Sequence, residues 1–105
     1  MRRRLELTEI ARADLKSIRR YSIRTWGQDR TSQYMTAIRD TLKRVVRGTV
    51  PTRNRDDLRS GLQMVPSGRY RIFFEADESR VLVVRVLHDR MDYRRHLDDS
   101  EPADE

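Results

Sequence analysis

The 105-residue chain has no cysteine, which excludes a disulfide framework and thiolate metal sites and fits a reducing cytosol. Histidine is nearly as scarce. His88 and His96 have no Glu-x-x-His or similar ligand pair beside them, so neither a metal nor a cofactor is expected. Long apolar runs are missing as well. The N-terminal MRRRLELTEI is basic but lacks the roughly 7 to 15 apolar residues of a signal peptide, and no stretch approaches the roughly 20 needed to span a bilayer. These absences predict a cytoplasmic protein without a membrane partner. Lysine is confined to Lys16 and Lys43, so arginine carries nearly all the basic charge.

What is present is charge: 38% of the residues are charged and 36% hydrophobic, enough for one compact core and no second domain. Residues 98–105 (DDSEPADE) hold five acids and no bases, and are expected to form a disordered acidic tail after a single domain over 1–97. That domain then carries all 23 Lys and Arg against 12 acids, a net of +11. Such a surface attracts anions, whether nucleic acid or acidic protein, and charge alone leaves direct nucleic-acid binding open.

Leu5 and Leu7 alternate with Arg4 and Glu6, a period of two that predicts a short strand with one buried face. Thr8 is placed to cap a helix with Glu9 in its first turn, and Ala11, Leu15, Ile18 and Ser22 form one stripe of that helix to about Trp26, where Gly27 stops it. Asp29 or Thr31 can cap a second helix with Tyr34, Ile38, Leu42 and Val45 as its stripe, ending at Gly48 and Pro51. A connection of about three residues makes the two an antiparallel hairpin. Residues 49–61 lack periodicity and are predicted to be loop. Then LQMVP at 62–66, RYRIFFEA at 69–76 and RVLVVRVLH at 80–88 form a three-stranded antiparallel meander, with Gly68 supplying the first tight turn. The near-continuous apolar RVLVVRVL is expected at the sheet centre, covered on both faces. The predicted fold class is α+β: strand, helical hairpin, meander.

This order of elements carries specific strings. DDLRSGLQMVPSGRYRIFF at 56–74 resembles the ParE toxin pattern of Leu-Arg-x-Gly-Leu, a Pro-x-Gly turn and Gly-Arg-Tyr-x-Ile-Phe, and RVLHDRMD at 85–92 resembles that family's Arg-Val-Leu-His-x-Arg-x-Asp ending. With LTEIARADL at 7–15 and Trp26-Gly27, the likeness to the ParE/RelE toxin superfamily spans residues 1 to about 95. The resemblance implies a RelE/ParE-like fold and a toxin of a type II toxin–antitoxin system. An acidic, ParD-like cognate antitoxin would hold it inactive, laying an amphipathic helix and an extended segment into the groove between hairpin and sheet. It also implies DNA gyrase as the target, the alternative being ribosome-dependent mRNA cleavage as in RelE relatives; a toxin-like protein without activity is a third reading. Fold alone does not choose among these.

Arg69, Arg71, Arg85, His88, Arg90, Tyr93 and His96 are the groups from which a metal-free RNase would draw an acid, a base and phosphate-holding cations. They serve equally as a binding surface, or as ordinary strand-end residues with Arg85 paired to a carboxylate. The RelE-type set, as the resemblance implies it, draws on lysines and arginines around the loop and middle strands and a tyrosine near the C-terminus. No lysine follows Lys43 here, and Arg69, Arg90 and Tyr93, the last at a poorly fitting spacing from Arg90, match it only in part, which favours binding over catalysis. On the first helix Arg12, Lys16, Arg20 and Arg24 recur every fourth residue, a basic ridge whose like-charge pairs each cost roughly 0.2 to 0.5 kcal/mol. The ridge is either a solvated face or a contact for an acidic partner. Trp26 and Tyr34 flank the interhelical turn, where aromatics more often plug a core; Trp26 is also a candidate interface anchor.

Overall fold

The computed structural model describes residues 3–99. A short strand, Arg4–Leu7 (β1), leads into two helices, Glu9–Trp26 (α1) and Gln28–Arg47 (α2). The chain then returns through a two-residue strand, Arg53–Asn54 (β2), to Gln63–Ser67 (β3), Tyr70–Ala76 (β4), Arg80–His88 (β5) and a last helix, Tyr93–Asp99 (α3). The five strands form one sheet in the order β1-β5-β4-β3-β2. β1 runs parallel to β5, with Leu5 opposite Val81 and Leu7 opposite Val83, and every other pairing is antiparallel.

Each helix end has a local cause. Thr8 Oγ1 accepts from Ala11 N at 3.0 Å and donates to the Val84 carbonyl at 2.9 Å, so one hydroxyl caps α1 and ties it to β5. Gly27, at φ 87° and ψ 177°, both ends α1 and starts α2. The connection is therefore one residue, shorter than the three expected, and neither Asp29 nor Thr31 is the cap. Thr31 instead donates to the Gly27 carbonyl at 2.8 Å from inside the helix. A side-chain cap signal could not mark this boundary, because the capping residue has no side chain and turns the chain through a conformation open to glycine alone. At the far end of α2, Arg3 donates to the Val45 and Val46 carbonyls, satisfying groups that a helix C-terminus leaves without partners.

Two apolar clusters occupy the two faces of the sheet. Under the hairpin lie Ala11, Ile18, Ile38, Leu42 and Val45 against Val65, Ile72, Phe74, Val81, Val83 and Val86. On the other face Leu62, Met64, Phe73, Val84, Leu87 and Leu97 pack together, with Leu58 and Tyr93 at their edge. β5 is thus central and covered on both sides, as its apolar run required. A register shift between Phe73 and Phe74 leaves Val84 extra on β5 and resets the alternation, so Val83 and Val86, three apart, both face the hairpin while Val84 and Leu87 face the other side. Leu5, at the edge, stays 39% exposed, so the buried face of β1 reduces to Leu7.

Two elements were not expected. β2 lies within the predicted loop, and two residues carry too little periodicity to be read. α3 covers the second sheet face: Asp92 Oδ1 accepts from Arg95 N, and Tyr93 and Leu97, four apart, turn inward. Asp98 and Asp99, assigned above to a disordered tail, have helical backbone in α3; residues 100–105 of that segment lie outside the described residues.

Candidate functional site

The hairpin and the sheet meet incompletely at the end where Gly27 turns the chain. Ser17, Ile18, Tyr21 and Trp26 from α1 and Tyr34 from α2 form one wall of a groove, and Arg69, Tyr70, His88 and Met91 form the other. It encloses about 340 Å³. Its aromatics pack edge to face: the Trp26 ring lies 5.8 Å from Tyr21 and 5.8 Å from Tyr34, and Tyr70 lies 5.6 Å from His88. Trp26 is 44% exposed, Tyr21 52% and Met91 43%. Trp26 therefore forms an open wall, and the expectation of a core plug gives way.

The groove floor is low in polarity. Tyr70 is held above the usual phenol range, first by burial and then by the neighbouring Tyr21 and Tyr34 hydroxyls, so it stays neutral as a donor. Charge enters at the rim with Arg69, which is exposed, and the His88 ring lies beside it on the same wall. His88 Nδ1 lies 3.0 Å from Asp89 Oδ1 and 3.2 Å from Arg90 N. An apolar trough with a few convergent polar groups at its rim has the form of a site for a partner's side chains.

Of the residues singled out from sequence, Trp26, Tyr34, Arg69 and His88 line this groove. Arg85 does not. Its guanidinium pairs with Asp14 through Nε to Oδ2 at 2.8 Å and Nη2 to Oδ1 at 3.0 Å, and donates to the His96 carbonyl at 2.8 Å. It is a strut joining α1, β5 and α3. Arg71 turns back on its own strand, donating to the Gly68 and Tyr70 carbonyls, each at 3.0 Å. The Tyr93 hydroxyl donates to the Asp89 carbonyl at 3.3 Å, and its ring packs 5.0 Å from Phe73 on the far side of the sheet. Arg90 is exposed in the turn before α3. Arg12, Lys16 and Arg20 project from the outer face of α1, away from the groove.

Tyr21, Tyr70 and Met91 were missed. The signal for Tyr70 was available: with Ile72 and Phe74 it shares the face beneath the hairpin by strand alternation. Tyr21 falls beside the apolar stripe of α1, and Met91 sits in a turn, so neither carried a periodic signal.

Among the described residues no group of three or more His, Cys, Asp or Glu gathers to hold a metal, and no helix is long and apolar enough to cross a membrane. The family model described as ParE toxin of type II toxin–antitoxin system, parDE, matches residues 5–93. Toxin ParE1 of Caulobacter vibrioides is 31% identical over 91 residues, 87% of this chain and 94% of that protein. The chromosomal ParDE toxin–antitoxin system from P. aeruginosa includes a chain that superposes with a TM-score of 0.70 at 17% identity, covering 82% of this chain and 95% of that one. The RelBE2 toxin–antitoxin complex from Mycobacterium tuberculosis includes one with a TM-score of 0.52 at 21% identity, covering 84% and 99%. The two structures share this fold; the family match and the sequence relative go further. The chain belongs to the ParE family of type II toxin–antitoxin toxins.

Proposed function

We propose that this ParE-family toxin inhibits DNA gyrase by binding and is neutralised by an acidic, ParD-like antitoxin. In this reading the antitoxin's apolar side chains fill the groove of Tyr21, Trp26, Tyr34 and Tyr70, and its carboxylates meet Arg69 at the rim. One observation carries the preference for binding over catalysis. Three of the seven groups from which an RNase site would be assembled are already engaged: Arg85 with Asp14 and His96, Arg71 with two backbone carbonyls, Tyr93 with Asp89. Their partners lie on different elements: those of Arg85 on α1 and α3, those of Arg71 on β4 and the turn before it, that of Tyr93 on the turn after β5.

The test pairs two targets. Purified chain is added to gyrase with supercoiled plasmid, and separately to translating ribosomes. Inhibited supercoiling with accumulated cleaved plasmid, and intact mRNA, is the expected result. Cleavage of mRNA on the ribosome with unaffected gyrase replaces this reading with the RelE-type alternative. Inactivity in both, with normal growth on expression, replaces it with a toxin-like partner protein.

A further inference from the structure

The outer face of α1 plays no part in the groove, yet it is the most uniformly charged surface of the hairpin. Its exposed residues include Arg12, Lys16, Arg19, Arg20 and Arg24, and the one exposed acid on the helix is Glu9, at its first position. The other carboxylate of α1, Asp14, is turned inward and committed to Arg85. Arg12, Lys16, Arg20 and Arg24 make no ion pair among the described residues. α2 differs: Asp40 stands three and four residues before Lys43 and Arg44, the spacing at which a helix interleaves opposite charges.

From Arg12 to Arg24 the row runs about 18 Å along the helix axis at 1.5 Å per residue. One strand of duplex DNA presents about five phosphates over that length, at 3.4 Å each. Residues four apart drift by roughly 40° around a helix of 3.6 residues per turn, so the row winds a third of the way round, with Arg19 beside its early half. The row itself holds guanidinium and ammonium groups, and the one large apolar side chain within its band is Ile23, 38% exposed. A protein interface has an apolar centre. An array of cations matches a regular polyanion.

We propose that the outer face of α1 binds the phosphate backbone of double-stranded DNA without reading its sequence, with Arg12, Lys16, Arg20 and Arg24 as the contacts. None of the four lines the groove, and the row borders it only at Arg24, three residues beyond Tyr21 and seven beyond Ser17 of the groove wall. This goes beyond gyrase inhibition and is measured without gyrase, so failure of either leaves the other standing.

The experiment follows the anisotropy of a labelled duplex of about 30 base pairs, titrated with the full chain between 50 and 200 mM salt. Each phosphate neutralised contributes about −0.9 to the slope of log K against log salt. The variant Arg12→Gln/Lys16→Gln/Arg20→Gln/Arg24→Gln is therefore expected to flatten the slope by about 3.6, and Lys16→Gln/Arg20→Gln by about 1.8. All four positions are exposed, and circular dichroism checks that the helices remain. A charge-matched control, Arg47→Gln/Arg53→Gln/Arg90→Gln/Arg95→Gln, alters exposed positions elsewhere and is expected to move the slope much less. No binding at 50 mM salt overturns the proposal. So does equal flattening by the control set, which means the attraction is diffuse. Displacement of DNA by polyglutamate at equal charge assigns the face to an acidic protein instead.

Discussion

Removing the carboxylate of Asp14 is the sharpest perturbation of the fold. Asp14 and Arg85 are almost withdrawn from solvent, with side chains 14% and 11% exposed, and are joined by two short hydrogen bonds. Asp14 Oδ2 also accepts from Val86 N at 2.9 Å. In Asp14→Ala the Arg85 guanidinium keeps the His96 carbonyl and loses its counter-charge. Breaking one partner of such a pair costs about 3 to 5 kcal/mol, and the orphaned Val86 N–H places this case toward the upper end. Against a total stability of about 5 to 15 kcal/mol for a domain of this kind, that is a large share. In urea, where small proteins lose about 1 to 3 kcal/mol per molar, the midpoint is expected to fall by roughly 1.5 to 4 M. The double variant Asp14→Leu/Arg85→Met removes both charges and is expected to recover most of the loss, because apolar residues of similar volume replace buried pairs at little cost. It should also still inhibit gyrase. A cost below about 1 kcal/mol for Asp14→Ala, the size of an exposed pair, refutes the strut. So does a double variant as unstable as the single one.

Three other outcomes follow from the same structure. Trp26→Ala should cost about 1 to 3 kcal/mol of stability, since it removes two edge-to-face contacts on a ring already half in solvent; it should weaken antitoxin binding about thirtyfold or more by calorimetry, the size of an interface hot spot. Gly27→Ala meets no atom within 4 Å, so its cost is backbone strain alone, about 1 to 3 kcal/mol by thermal or urea unfolding. Asp77 is held below the usual carboxylate range by the Ser79 backbone N–H first, then the Ser79 hydroxyl and Arg80 N, all in the turn between β4 and β5. A depressed carboxylate stabilises the fold above its unfolded value, near 3.8, and that contribution is lost as pH falls through its lower folded value. Asp77→Asn should therefore flatten the stability curve in that acid window and leave its shape near neutrality unchanged.

The elements with strong periodicity are legible in the sequence itself. The stripes Ala11–Leu15–Ile18–Ser22 and Tyr34–Ile38–Leu42–Val45 are buried as spaced except at Leu15 and Tyr34, which are half-buried, and the run from Arg80 to His88 forms β5 with those boundaries. What escaped is made by contacts between segments distant in sequence. β2 exists because two residues reach Gln63 and Met64, and α3 because Tyr93 and Leu97 find a sheet face that the hairpin leaves bare. The same holds for the site. The ridge is readable as a four-residue period, whereas the groove joins residue 17 to residue 91 and includes an open Trp26 that its position in the sequence assigned to the core. A carboxylate partner for Arg85 is conceivable from sequence, but no spacing marks it as Asp14, some seventy residues earlier.

The central claim is that the chain inhibits gyrase and that filling the groove silences it. Trp26 is the sole tryptophan of the chain and stands in the groove wall, so its emission reports occupancy directly. The most direct measurement titrates the acidic antitoxin into chain and gyrase while supercoiling is assayed, with Trp26 emission followed over the same titration in the toxin alone. Recovery of supercoiling and a blue shift of Trp26 are predicted to follow one curve. Recovery with unmoved emission contradicts the groove, and a gyrase that the chain never inhibits contradicts the target.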